Sequence, residues 1–135
     1  MSKLVFIGLL LFIFGCENKI KPSDLALING YWSIDYITHK DETFHPKGAL
    51  KLLDFYEING KEGIRKKVQP RWDNKFLITE DLNKFKIVFE SNRYYLGFET
   101  AWDQWREEIL KLNQDQLILK HQEKSYHYIR HYNEN

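Results

Sequence analysis

One cysteine, Cys16, is all that the 135 residues contain. The chain can form no internal disulfide, so its stability must come from packing. Charge of either sign is not in excess either. Twenty Lys and Arg face nineteen Asp and Glu, a formal net charge of +1. With no long basic stretch, a nucleic-acid-binding role is excluded as an expectation. The longest apolar run, Leu4 to Phe14, falls short of the about 20 residues that a membrane-spanning helix needs. No nucleophile-elbow motif, phosphate-binding glycine loop or paired Cys–His arrangement occurs, so no enzymatic activity is expected. There is no internal repeat, no low-complexity tract and no second domain boundary. Aromatic residues are plentiful: four Trp, eight Tyr and nine Phe. They supply the large buried areas that a core without disulfides requires.

The first sixteen residues have the layout of a secretory leader: Lys3, the apolar run Leu4 to Phe14, and the small residue Gly15 ahead of Cys16. Ile13-Phe14-Gly15-Cys16 resembles the lipobox of bacterial lipoprotein signals. That resemblance implies cleavage before Cys16, with diacylglycerol and acyl chains such as palmitate on its sulfur and new N-terminus. Each buried methylene of such chains adds about 0.8 kcal/mol of membrane affinity. The expected organisation is a signal peptide over 1–15, an acylated cysteine and polar tether over 16–24, and one domain over 25–135. Losing the leader removes Lys3 and takes the formal charge from +1 to zero. The acyl anchor is then the expected link to the membrane, and no noncovalent cofactor or metal is expected.

After the tether the periodicity is that of strands. Ser23-Asp24 caps a single expected helical turn, Leu25 to Ile28, closed by Asn29-Gly30. From there alternation sets in, with Trp32, Ile34 and Tyr36 on one strand face and Tyr31, Ser33 and Asp35 on the other. Asp41-Glu42 and His45 to Gly48 read as loops. Ala49 to Ile58 and Lys61 to Gln69 flank Asn59-Gly60, the strongest short hairpin signal. Phe76 to Ile78 reads as a short strand. Phe85 to Glu90 follows, with Phe85, Ile87 and Phe89 inward, and Ser91-Asn92 turns into Arg93 to Glu99. Trp105 to Leu112, Gln116 to His121 and Ser125 to Tyr132 complete the set. Ala101 to Leu112 also contains good helix formers, but the turn lengths favour a strand. Eight or nine short strands joined by tight turns predict an all-β, up-and-down antiparallel barrel, which closes both sheet edges. An open sandwich is the competing architecture.

Gly30-Tyr31-Trp32, opening the first strand after a short helical turn, resembles the Gly-x-Trp motif of lipocalins and lipocalin-like proteins. The resemblance implies that Trp32 plugs the narrow end of the barrel and that an arginine near the chain end, here Arg130, packs over its indole. Small lipocalin-like lipoproteins of Bacteroidota-type bacteria are the nearest likeness. They imply a cell-envelope protein, outer-membrane anchored and monomeric.

Candidate binding residues follow from where aromatic and basic side chains gather. Arg65 and Lys67 share a strand face and offer a handle for an anionic group. The plainer expectation is that both are solvated, charge-guarded strand residues. Tyr36, Trp72, Trp102 and Trp105 lie near strand ends, where they can grip an apolar ligand or simply fill the barrel. Glu107 and Glu108 are adjacent, point to opposite faces of a strand and cannot act as a carboxylate pair. His127 and His131 would lie roughly 13 Å apart on a strand, too far to share a metal. Two roles remain: a carrier of a small apolar or amphiphilic ligand, and an accessory protein whose filled barrel docks an envelope partner. A cavity of about 300 Å³ or more separates the first from the second.

Overall fold

The computed structural model of the protein describes residues 19–47, 52–71, 73 and 75–132. Cys16 and Trp72, with the leader and lipobox, lie outside the described residues. A 3-10 helix, Pro22–Ile28, comes first. It starts earlier than the sequence pattern indicates because Pro22 has a preset φ suited to a first helical position. Asp24 therefore sits in the first turn, where its Oδ2 accepts the Lys21 N–H at 2.9 Å.

Nine strands follow among the described residues: β1 Gly30–His39, β2 Glu42–Phe44, β3 Leu53–Asn59, β4 Glu62–Pro70, β5 Phe76–Glu90, β6 Arg93–Glu99, β7 Gln104–Leu112, β8 Gln116–His121 and β9 Lys124–His131. All pairings are antiparallel. β3 to β9 run as a meander, and β1 closes the ring between β3 and β9. The result is an eight-stranded barrel with β2 as an extra strand hairpinned onto the upper half of β1. Eight strands leave an interior that side chains can nearly fill. Trp32, Tyr56, Leu96, Phe98, Leu117 and Leu119 fill it, with Ile28 of the 3-10 helix closing one end.

Two strand boundaries differ from the alternation pattern. Glu42–Phe44 is a strand, since Lys40, at φ 55°, turns the chain tightly enough for Thr43 to pair with Thr38. Phe76 to Glu90 is one fifteen-residue strand instead of two short ones. The polar stretch between the apolar ends hides its continuity. Pairing shifts there, with extra residues of β5 opposite Lys67.

Bulges also move side chains from one wall to the other. Ile34 pairs with Tyr128 and Tyr36 with His127, so Asp35 is an extra residue on β1. One inserted residue reverses every later side chain. Ile37, not Tyr36, therefore joins Trp32 and Ile34 on the inner wall. A second shift in β7 after Ile109 leaves Leu110 outside and returns Leu112 to the core. Phe89, expected inward, is 59% exposed, because it lies beyond the packed core near the β5–β6 turn, where its ring meets Tyr94 at 4.7 Å.

Candidate functional site

The two ends of the barrel have different chemistry. At the closed end Trp32 is fully buried and pairs directly with Arg130 across β1 and β9. Its Nε1 donates to the Ile28 carbonyl at 2.8 Å. The Arg130 guanidinium stands 4.2 Å from the Trp32 ring centroid. It also donates to the carbonyls of Asn29 (2.8 Å), Leu27 and Gln114. One side chain thus caps the end of the 3-10 helix, holds the β7–β8 turn and covers the indole. Gly30 is required beside it. Its φ of +118° disfavours any side chain, and a Cβ there would come within 2.8 Å of Arg130 Nη1. Glycine, tryptophan and arginine together seal this end of the barrel interior.

At the other end the strands open into a cleft of about 410 Å³. Arg65 and Lys67 project into it from β4, Asp54 from β3, Trp105 and Glu107 from β7, and Tyr126 and Tyr128 from β9. Asp103 and His121 lie on its rim. The expectation that both cations are solvated strand residues is overturned for Arg65, whose side chain is 14% exposed, while Lys67 keeps a solvated side chain, 43% exposed, at the opening of the cleft. The reason is register. Tyr56 pairs with Arg65 and Asp54 with Lys67, and Tyr56 belongs to the core, so both cations lie on the inner wall.

Their charge is compensated inside the barrel. Arg65 Nη1 donates to Glu107 Oε1 at 2.8 Å and to the Tyr56 hydroxyl at 3.3 Å. Glu107, only 6% exposed, accepts the Trp105 indole N–H on its other oxygen at 2.8 Å. Trp105 stacks on Phe98 at 5.1 Å, and the Arg65 guanidinium lies 4.1 Å from the Phe98 ring centroid. Guanidinium, carboxylate, indole and phenyl thus close a ring of four contacts. Each member fixes the orientation of the next, which pre-organises a polar network. Lys67 Nζ approaches Asp54 Oδ1 to 2.6 Å. That oxygen is buried and accepts no well-aligned hydrogen bond, so the ion pair is its charge compensation.

Burial acts on the titration of this wall. Burial raises the Tyr56 phenol far above its ordinary range, and the Arg65 charge only partly offsets it. Tyr128 is raised for the same first reason. Burial works against the Arg65 charge, but Tyr56 and Glu107 more than restore it, so the guanidinium stays protonated. Arg65 is thus held as a cation among neutral phenols.

The remaining candidates are scattered. The Asp35 bulge puts Tyr36 on the outer wall, where it stacks on His127 at 4.1 Å and is remote in role from the cleft. Burial lowers the His127 pKa, against a weaker opposing effect of Asp35. Trp102 stands on the rim loop between β6 and β7 and is 96% exposed. Glu107 and Glu108 do diverge, since Glu108 pairs with Arg93 at 3.2 Å on the outer wall. Among the described residues no group of His, Cys, Asp and Glu is arranged to hold a metal ion. A larger trough of about 480 Å³ lies along the outer wall near Gly63 and Gly97. Glu57, Glu62, Lys84 and Lys86 line it, all exposed, and among the described residues no buried ion pair such as Arg65–Glu107 opens into it. The mouth is the better candidate on that ground.

Sequence reading missed Asp54, Tyr56, Glu107, Tyr126 and Tyr128 as members of the site. Glu107 carried a usable signal. It shares the inward period of Trp105 and Ile109, and a carboxylate inside an apolar stripe demands a buried cation.

A closed eight-stranded antiparallel barrel with one extra strand and one short helix is lipocalin-like in fold. One solved structure agrees at the level of fold. Apocrustacyanin C2 matches with a TM-score of 0.50 at 14% identity, over 82% of this chain and 64% of that one. A lipocalin-like protein from Bacteroides uniformis ATCC 8492 is similar at TM-score 0.47 and 8% identity, over 78% of this chain and 99% of its own. An uncharacterized protein from Bacteroides eggerthii DSM 20697 is similar at TM-score 0.48 and 8% identity, over 76% and 98%. No protein-family model and no curated protein matches the chain.

Proposed function

We propose that this protein is a lipid-anchored, lipocalin-like binding protein of the bacterial cell envelope that holds a small amphiphilic ligand in its mouth. The observation that carries the reading is the open cleft of about 410 Å³, walled by Trp105, Tyr126 and Tyr128 with two ion pairs at its base. It exceeds the about 300 Å³ at which small-molecule sites begin. Below it Tyr56, Phe98 and Leu96 fill the barrel, so the ligand is short. Its apolar part lies against the aromatic wall, and its polar head meets Lys67 and Asp54. We read the site as binding and not catalytic because both Glu107 oxygens are already engaged, which leaves that carboxylate no role as a base. Acylation of Cys16 and outer-membrane residence rest on the leader sequence. The domain needs no cofactor and acts as a monomer.

A second reading, docking of an envelope protein on the mouth, draws support from the rim. Trp102 and Phe44, 96% and 62% exposed, stand at this end. Native mass spectrometry of protein extracted gently from its own membranes separates the two. A retained small molecule that is lost in Trp105→Ala and kept in Trp102→Ala supports the carrier. A bare barrel in every preparation, with a protein partner lost in Trp102→Ala, supports docking.

A further inference from the structure

We propose that the closed end of the barrel is the surface that faces the anchoring bilayer, with the mouth directed away from it into water. The inference rests on acylation of Cys16 and goes further by fixing which end meets lipid. The described chain begins at Lys19, and its place is determined. Lys19 and Ile20 lie against Lys111, Leu112 and the β7–β8 turn, in a cleft they share with Asp24 and Leu27. Ile20 packs on the main core cluster. The 3-10 helix that follows is tied to Trp32 and Arg130, so this whole segment belongs to the sealed end. Only three peptide units separate Lys19 from Cys16. At 3.8 Å per Cα step they reach at most about 11 Å. Strands of eight to ten residues, at about 3.3 Å per residue and a tilt of about 40°, set the mouth roughly 20 Å beyond that end. The tether is too short to go around the barrel and bring the mouth to the membrane.

The sealed end has the chemistry of a headgroup-facing surface. Lys19, Lys21 and Lys61 are exposed there, and Phe89 stands out beside the β5–β6 turn. Acids stand among them, Asp24 in the first helical turn and exposed Glu62 beside Lys61, so the orientation rests on the length of the tether and not on net charge. The functional consequence is that the ligand enters from the aqueous side and is not drawn sideways from the anchoring leaflet.

Photocrosslinking in the producing cells tests this. A benzophenone amino acid replaces Lys61 at the sealed end, or Ala101 on the mouth rim; both sites are exposed. Lipid adducts on the full protein are read by mass. Adducts at 61 with background levels at 101 are expected. Adducts at 101 equal to or above those at 61, or none at 61, overturn the proposal. Cys16→Ser is run alongside. Retention of that variant in membranes refutes the anchor, while the ratio of adducts at the two positions still reports orientation. Release of Cys16→Ser with loss of the adduct at 61 supports both.

Discussion

The sealed end and the mouth are built from the same eight strands, yet they use charge in opposite ways. At the sealed end one cation, Arg130, meets backbone carbonyls and an indole face. No carboxylate is needed, because the carbonyls at the end of the 3-10 helix and the β7–β8 turn otherwise lack donors. At the mouth two cations, Arg65 and Lys67, meet two buried carboxylates, Glu107 and Asp54. Backbone partners close a structure. Side-chain partners leave exchangeable groups that a ligand can compete for. Under the proposed function the first end closes the barrel and the second receives the ligand.

The largest expected effect breaks the mouth network. Glu107→Leu leaves Arg65 buried without its counter-charge and is expected to cost about 3–5 kcal/mol of folding stability. The double variant Arg65→Met/Glu107→Leu is expected to recover most of that loss, since apolar pairs replace buried ion pairs at little cost. Urea unfolding of the two variants checks this. A double variant as unstable as the single one would show that the ring of contacts, and not charge burial, sets the stability.

At the sealed end Arg130→Ala is expected to cost about 3 kcal/mol, combining charged hydrogen bonds with the lost cation–π contact. Gly30→Ala, which forces a Cβ toward Arg130 at a positive φ, is expected to cost about 2 kcal/mol. Neither is expected to change ligand retention once the variant is folded, as both residues lie outside the mouth. A folded Gly30→Ala protein that has lost its ligand would contradict the division of labour.

A smaller effect concerns pH. Tyr56 and Tyr128 have folded pKa values raised by burial above the ordinary 10.0. Above pH 10 the unfolded chain releases these phenolic protons while the folded chain keeps them. Their contribution is fully present below that pH and is lost as pH rises from there through the raised folded values. In an alkaline absorbance titration, two of the eight tyrosines are expected to ionise only with unfolding. Ionisation of all eight in the folded barrel would place water at the base of the mouth.

Legibility from sequence divides along the same line. Gly30, Trp32 and Arg130 are readable because the sealed end depends on residue type at fixed positions near the two chain ends. Most strands are readable too, since turns such as Asn59-Gly60 and Ser91-Asn92 are local chemistry. The mouth is less readable because inner-wall membership depends on register. The single extra residue Asp35 moves Tyr36 outward, and the shift opposite Lys67 merges two apparent strands into β5. The burial of Arg65 runs against the general habit of long cations to stay in water, which Lys67 largely follows. Only pairing with Tyr56 and Asp54 shows that they face inward. A partner such as Glu107, forty-two residues away from Arg65, cannot be inferred from spacing.

The measurement closest to the central claim is native mass spectrometry of the membrane-extracted protein beside its Trp105→Ala variant. The account predicts one small amphiphilic molecule bound per barrel in the first and none in the second. A barrel that emerges empty, and stays empty after incubation with envelope lipid extract, would contradict it.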